Sequence, residues 1–109
     1  MASPSIETLE KLIGTPRDGA LLRFSLGLEF LKSGNAAMAA EQLREAVTRD
    51  PGYSAAWRAL GKALEATARP AEALDAYRKG ISAAQNKGDK QAEKEMTVFA
   101  RRIQKKTAA

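Results

Sequence analysis

The 109-residue sequence contains no cysteine and no histidine. The lack of cysteine excludes disulfides and thiolate metal sites, and it is compatible with a reducing compartment. The lack of both residues also excludes Ser-His-Asp and Cys-His nucleophile systems and zinc sites built on imidazole or thiolate. The 13 acidic residues show no metal-ligand spacing, and no phosphate-binding loop is present. We therefore expect a protein that is not an enzyme and that uses no cofactor or metal.

Long apolar runs are also missing. No stretch approaches the roughly 18 apolar residues that a membrane span needs. The first residues, MASPSIETLEK, do not combine a basic region with a following apolar run. We expect a cytoplasmic protein without a membrane partner.

The composition favours helices. Apolar residues make up 44% of the sequence and charged residues 28%, with Ala, Leu, Glu, Lys and Arg dominating. This balance is typical of packed amphipathic helices rather than of strands or disorder. A chain of this length forms one domain with one modest core. We therefore predict a single all-α domain over residues 1–109.

The sequence repeats itself at an offset of 34 residues, where Leu26-Gly27 aligns with Leu60-Gly61. A glycine inside a helix costs about 1 kcal/mol relative to alanine, so the fold must need it at this position. The other matched pairs are Phe30 with Leu64, Ala39 with Ala73, and Leu43 with Tyr77. Each copy predicts a helical hairpin, with helices over 20–33 and 35–49 and over 54–67 and 69–84.

The two copies resemble the tetratricopeptide repeat, whose signature reads W-x2-L-G-x2-Y, then A-x3-F, then P. The first copy supplies Leu26, Gly27, Phe30, Ala39, Leu43 and Pro51, and the second supplies Trp57, Leu60, Gly61, Leu64, Ala73 and Tyr77. The resemblance implies an array of antiparallel helical hairpins, an α-solenoid, with repeat 1 over 20–53 and repeat 2 over 54–87. It also implies that the glycines lie where two helices approach closely.

Three positions depart from the signature. Arg23 stands where the family usually has tryptophan, and Ala68 stands where a glycine often ends the first helix. Gln85 replaces the proline that closes a repeat. The linker that follows repeat 2 is longer than the linker after repeat 1, which suggests an extra helical turn.

Repeats of this kind need cover at both ends of the array. An N-terminal helix is predicted over 4–14, with Ser3 as its cap, packed against the helix that begins at Ala20. A C-terminal capping helix is predicted over 89–106, with Asp89 as its cap. The apolar stripes of these two helices consist of Ile6, Leu9, Leu12 and Ile13, and of Ala92, Met96, Phe99 and Ile103. The total is about six helices.

The resemblance implies that the first helix of each repeat lines a groove that binds a segment of another protein. The candidate groove residues are Leu21, Phe24, Leu28, Leu31 and Lys32 from repeat 1, and Arg58, Lys62 and Glu65 from repeat 2. The residues that grip the carboxylate of chaperone tails in this family are absent, since Phe24, Leu28 and Ala59 occupy those positions. We expect an adaptor whose partner brings apolar and acidic side chains.

The helix from Ala20 is apolar almost all the way round, so a second face of it needs cover. One interpretation is that the N-terminal or the C-terminal helix folds across it. The other is that Phe24, Leu28 and Leu31 form an exposed patch for a peptide or for a second copy in a weak homodimer.

The C-terminal segment offers an alternative of another class. Residues 87–109 carry seven Lys or Arg and three Asp or Glu, out of a net charge of +5 for the whole chain. The candidate basic surface consists of Arg101, Arg102, Lys105 and Lys106. Such a surface can bind an acidic protein or nucleic acid. Nucleic acid is disfavoured because no aromatic interleaving accompanies the charges, and cations near a helix C-terminus also complement its dipole.

Overall fold

A computed structural model describes residues 4–107, so the predicted cap Ser3 lies outside the described residues. The described chain forms six α-helices: α1 Pro4–Glu10, α2 Ala20–Lys32, α3 Ala36–Arg49, α4 Ser54–Ala66, α5 Pro70–Lys87 and α6 Lys90–Thr107. Each helix packs against the next one along the chain, and α4 also contacts α2 and α6. No strand occurs between residues 4 and 107. The all-α prediction is confirmed.

Two glycines set the distance between paired helices. A methyl group built on Gly27 would lie 2.6 Å from Cδ2 of Leu43, and one built on Gly61 would lie 2.6 Å from Cζ of Tyr77. Leu43 and Tyr77 are both fully buried. The prediction that these glycines mark close helix approach is confirmed, and the packing of α2 on α3 and of α4 on α5 offsets their cost in helix propensity.

The two helices of each repeat are joined by a turn of the same geometry. After α2, the N–H of Asn35 donates to the carbonyl of Phe30, and Gly34 takes a φ of 81°. After α4, the N–H of Arg69 donates to the carbonyl of Leu64, but Ala68 takes the left-handed position with a φ of 58°. These bonds form the Schellman motif, which favours glycine at its left-handed position. Ala68 therefore holds a conformation that alanine disfavours.

We expect Ala68→Gly to raise the free energy of unfolding by about 1 kcal/mol, because glycine removes the left-handed strain. Chemical denaturation followed by circular dichroism measures the change. Ala66→Gly, at the end of α4 in ordinary helical geometry, is the matched control and should lower the free energy of unfolding. A loss of stability in both variants would contradict the assignment of strain to position 68.

The N-terminal helix is shorter than predicted. It ends at Glu10 rather than at residue 14. Beyond it the chain tightens into i→i+3 bonds, such as Ile13 N–H to the carbonyl of Glu10, and turns at Gly14 with a φ of 81°. Ile6 is buried in the core, whereas Ile13 is exposed. Leu9 and Leu12 are partly buried and pack against the core, and α1 packs on α2 as predicted.

The C-terminal half follows the predicted pattern. Helix α5 continues to Lys87, since Gln85 replaces the proline that ends the first repeat. Asp89 caps α6, because its Oδ1 accepts a hydrogen bond from the N–H of Ala92 at 3.1 Å. Met96 of α6 packs against Gly80 of α5, where a built methyl would also lie 2.8 Å from Cβ of Trp57. This contact sets how α6 sits on the array.

Arg23 and Trp57 occupy equivalent positions in the two repeats and are held differently. The indole N–H of Trp57 donates to the carbonyl of Pro51 at 2.7 Å. Arg23 instead donates from Nε to Asp18 Oδ1 at 2.9 Å and from Nη2 to Asp18 Oδ2 at 3.0 Å, and it reaches Gln42 as well. The hydrogen bonds from Arg23 and from the N–H of Gly14 hold the pKa of the Asp18 carboxyl well below its usual range.

Candidate functional site

One face of the molecule is formed by α2, α4 and α6. Because α2 contacts α4 and α4 contacts α6, the three helices lie side by side in that order. We call this surface the inner face. From its apolar end to its charged end it consists of Phe24, Leu28, Leu31, Ala55, Arg58, Ala59, Lys62, Glu95, Phe99 and Arg102.

A small pocket lies between α2 and α4 on the inner face, with a volume of about 220 Å³. Its lining includes five of the predicted groove residues, namely Phe24, Leu28, Leu31, Arg58 and Lys62. Pockets for small molecules usually measure about 300–1,000 Å³. The size of this one suits a single anchoring side chain of a larger partner.

The apolar side of the pocket comes from α2. The ring of Phe24 lies 4.9 Å from the ring of Tyr53, centroid to centroid, which fixes it at the edge of the pocket. Leu28 is 37% exposed even though it lines the pocket. Leu21, a predicted groove residue, is 69% exposed and lies outside the pocket.

The charged side of the pocket comes from α4 and is completed by α6. Nε of Arg58 lies 2.8 Å from Oε1 of Glu95. Nζ of Lys62 lies 4.2 Å from the ring centroid of Phe99, and the guanidinium carbon of Arg102 lies 5.6 Å from the same centroid. Such cation–π contacts hold the charges near the pocket without neutralising them.

Two further predicted residues are engaged elsewhere. Lys32 forms an exposed ion pair with Glu29 on its own helix, with Nζ 3.6 Å from Oε1. Glu65 accepts a hydrogen bond from the hydroxyl of the fully buried Tyr77. Burial, together with the Glu65 carboxylate, raises the pKa of that hydroxyl, so Tyr77 remains a donor. Neither Lys32 nor Glu65 lines the pocket.

The apolar face of α2 is not covered by the C-terminal helix. Within the described range α6 contacts α5 and α4 but not α2, so that part of the covering interpretation is wrong. The reason is the position of α6, which is packed at the far end of the array against α5. Leu21 and Leu28 stay accessible in the single chain although α1 packs on α2.

The basic residues of α6 lie on its exposed side. Arg101, Arg102 and Lys105 surround Val98, which is 51% exposed, in a shallow groove, and Lys106 is exposed beyond it. No ion pair joins these four cations to an acidic residue among residues 4–107. Arg102 also contributes to the inner face through Phe99.

Residues 4–107 contain no cluster of three or more acidic side chains arranged to hold a metal ion. None of the six helices found there has the length and apolar character needed to cross a membrane.

Residues 24–88 match the sequence profile of the tetratricopeptide repeat, which is more than half of the chain. The chain belongs to the tetratricopeptide repeat family. The family resemblance inferred from the 34-residue offset is thus confirmed. Tetratricopeptide repeat domains generally mediate protein–protein interactions, and proteins of this family are generally non-enzymatic scaffolds.

Several known proteins are similar to this chain over most of its length. A repeat-containing protein of Pseudomonas aeruginosa is 51% identical over 98 residues, which cover 90% of this chain and 93% of that protein. The solution structure of a Bordetella parapertussis protein has a TM-score of 0.80 at 39% identity, covering 99% of this chain and 93% of the other. The Sgt2 tetratricopeptide repeat domain of Aspergillus fumigatus has a TM-score of 0.74 at 26% identity, and the match covers 95% of this chain and 69% of the other.

Sequence reasoning missed the part of the inner face that lies outside the two tetratricopeptide repeats. Glu95, Phe99 and Arg102 are spaced to share one face of a helix, and that signal was present in the sequence. The family signature does not fix which face of α6 turns toward α4. Met96 packs against Gly80 and Phe99 against Tyr77 in the observed orientation, and Gly80 has no glycine counterpart in the first repeat, where Ala46 stands.

Proposed function

We propose that this protein is a non-catalytic adaptor that binds a peptide segment of a partner protein on the inner face. An apolar side chain of the segment occupies the pocket beside Phe24 and Leu28. An acidic group of the segment approaches Lys62 and Arg102. The cytoplasmic location expected from the sequence belongs to the same proposal.

One observation carries this proposal: the pocket joins apolar side chains of α2 to cations of α4 on a face that α6 leaves open. Arg58 already has Glu95 at 2.8 Å, so an incoming carboxylate competes with Glu95 there. Lys62 and Arg102 rest on Phe99 and keep their charge available for the segment. Apolar anchors therefore supply most of the affinity, and the cations supply orientation and salt dependence.

The test is a pull-down from the native cell with the wild-type chain, followed by titration of the segment identified. We expect Phe24→Ala with Leu28→Ala to weaken binding by about thirtyfold, as loss of a central anchor typically costs about 2 kcal/mol. Arg58→Glu with Lys62→Glu should weaken it as well and reduce its dependence on salt. Circular dichroism of both variants must show unchanged helicity.

Arg101→Glu with Lys105→Glu provides the matched control, because it makes the same charge change on α6 away from the pocket. This variant should keep the partner. If it loses the partner while both inner-face variants keep it, the basic surface of α6 is the functional one. The partner is then an acidic surface or nucleic acid.

Light scattering over a concentration series tests the remaining alternative, a weak homodimer. A mass that rises with concentration in the wild type but not in Phe24→Ala with Leu28→Ala makes a second copy the occupant of the inner face. A constant monomer mass supports a foreign segment.

A further inference from the structure

A second groove lies between α3 and α5, whose backbones do not approach each other closely in the described range. Among the described ion pairs, Arg44 of α3 with Glu72 of α5 joins the two helices across it. Its floor is formed by α4 through Trp57, Leu60 and Leu64. Two adjoining depressions, of about 760 and about 490 Å³, share Trp57 and Lys79 and together form what we call the outer groove. Both exceed the pocket of the inner face.

The charges of the outer groove are divided between its two halves. In the smaller half the charges are paired, with Arg44 Nη2 lying 3.1 Å from Glu72 Oε1 and Lys79 Nζ lying 3.1 Å from Asp75 Oδ2. The larger half is lined by three cations and by no acidic residue, the cations being Arg78, Lys79 and Lys87. Arg78 and Lys87 form no ion pair within residues 4–107.

The larger half also presents a fixed aromatic surface. The hydrogen bond from the indole of Trp57 to the carbonyl of Pro51 holds the ring in one orientation at the floor of the groove. Trp57 remains half-buried, with the ammonium of Lys79 5.6 Å from its ring centroid. Because the ring is already ordered, the protein loses little conformational entropy when a ligand packs on it.

We infer that the larger half of the outer groove is a second docking site, for an acidic peptide segment that carries one apolar anchor. The anchor packs against the indole of Trp57 and the ring of Pro51. The carboxylates beside it pair with Arg78 and Lys87. The net charge of +5 opposes a second copy of this chain as the occupant, since two like-charged molecules repel each other.

The natural fluorescence of the protein allows a direct test. Trp57 is the only tryptophan in the sequence, and it lines the outer groove but not the pocket of the inner face. The probes are ten-residue peptides without tryptophan or tyrosine, each with one Leu, Ile, Val, Met or Phe flanked by glutamates. At least one of them should change the emission of Trp57 saturably, with a Kd of roughly 1 mM or tighter. The same peptides with lysine in place of glutamate should give no saturable change.

Two double variants that change the net charge by the same amount test where the peptide binds. Arg78→Glu with Lys87→Glu should weaken the response about tenfold or more. Arg101→Glu with Lys105→Glu also lowers the net charge by four units, but it acts on α6 and should have a much smaller effect. All four positions are exposed, so we expect both variants to fold, and circular dichroism checks this.

The inner-face variant Phe24→Ala with Leu28→Ala should leave the response of Trp57 unchanged, which separates this site from the function proposed above. Three results would overturn the inference: no saturating peptide in the panel, equal binding of the lysine peptides, or equal weakening by the two charge variants. Loss of the response in the inner-face variant would overturn it as well.

Discussion

Gly61→Leu is expected to lower the free energy of unfolding by about 3 kcal/mol or more, a large part of the 5–15 kcal/mol typical of a domain. A Cβ at this position would lie 2.6 Å from Cζ and 2.7 Å from Cδ1 of Tyr77. The ring of Tyr77 has little freedom to move aside, because it is fully buried, bonded to Glu65 and packed 5.4 Å from the ring of Phe99. Helices α4 and α5 must therefore separate.

Gly61→Ala separates the effect of helix propensity from that of the contact with Tyr77. Helix propensity alone predicts that alanine raises the free energy of unfolding by about 1 kcal/mol, whereas the contact with Tyr77 predicts that it lowers it. Gly52→Ala is the control, since a methyl there would have only ordinary contacts, the nearest 3.6 Å from Asp50. Urea denaturation followed by circular dichroism measures all three variants. A gain of stability in Gly61→Ala would show that the helices tolerate a side chain at this crossing.

Tyr77→Ala is the second substitution with a large expected effect, a loss of about 3–5 kcal/mol in the free energy of unfolding. The ring fills the space between α4, α5 and α6, so its removal leaves a cavity that the packed helices cannot close. Tyr77→Phe keeps the ring and loses only the hydrogen bond to Glu65, for about 1 kcal/mol.

The double variant Gly61→Ala with Tyr77→Ala separates the two effects. Because the new methyl group enters space that the ring has left, the combined loss should be smaller than the sum of the single losses. Strict additivity, measured by the same denaturation experiment, would contradict a direct contact between position 61 and the ring.

The sequence predicts the repeated part of this fold well, because the packing there is itself periodic. Gly27 meets Leu43 and Gly61 meets Tyr77 at the same separation along the chain, so an offset of 34 residues marks both crossings. The length of α1 was predicted less well. Apolar periodicity continues to Ile13, although the backbone has already left the α-helical pattern after Glu10.

The inner face is predictable only as far as the repeats extend. The resemblance implies that Phe24, Leu28, Arg58 and Lys62 face one side, and the structure places these four side chains around one pocket. It does not supply Glu95 or Phe99 as neighbours of the cations. Their positions depend on how α6 packs, which involves the contacts of Met96 with Gly80 and of Phe99 with Tyr77.

Arg23 and Trp57 are held by different hydrogen-bond partners, so the stability of the two repeats responds differently to acid. The pKa of the Asp18 carboxyl is lowered from its usual value of about 4, so its ion pair with Arg23 contributes fully above about pH 5. This contribution is lost as the pH falls through the usual value toward the lower folded one. The bond from Trp57 to Pro51 carries no titrating group and keeps its strength over the same range. Since each repeat is stabilised mainly by its neighbours, the loss of this ion pair in acid weakens the N-terminal end of the array.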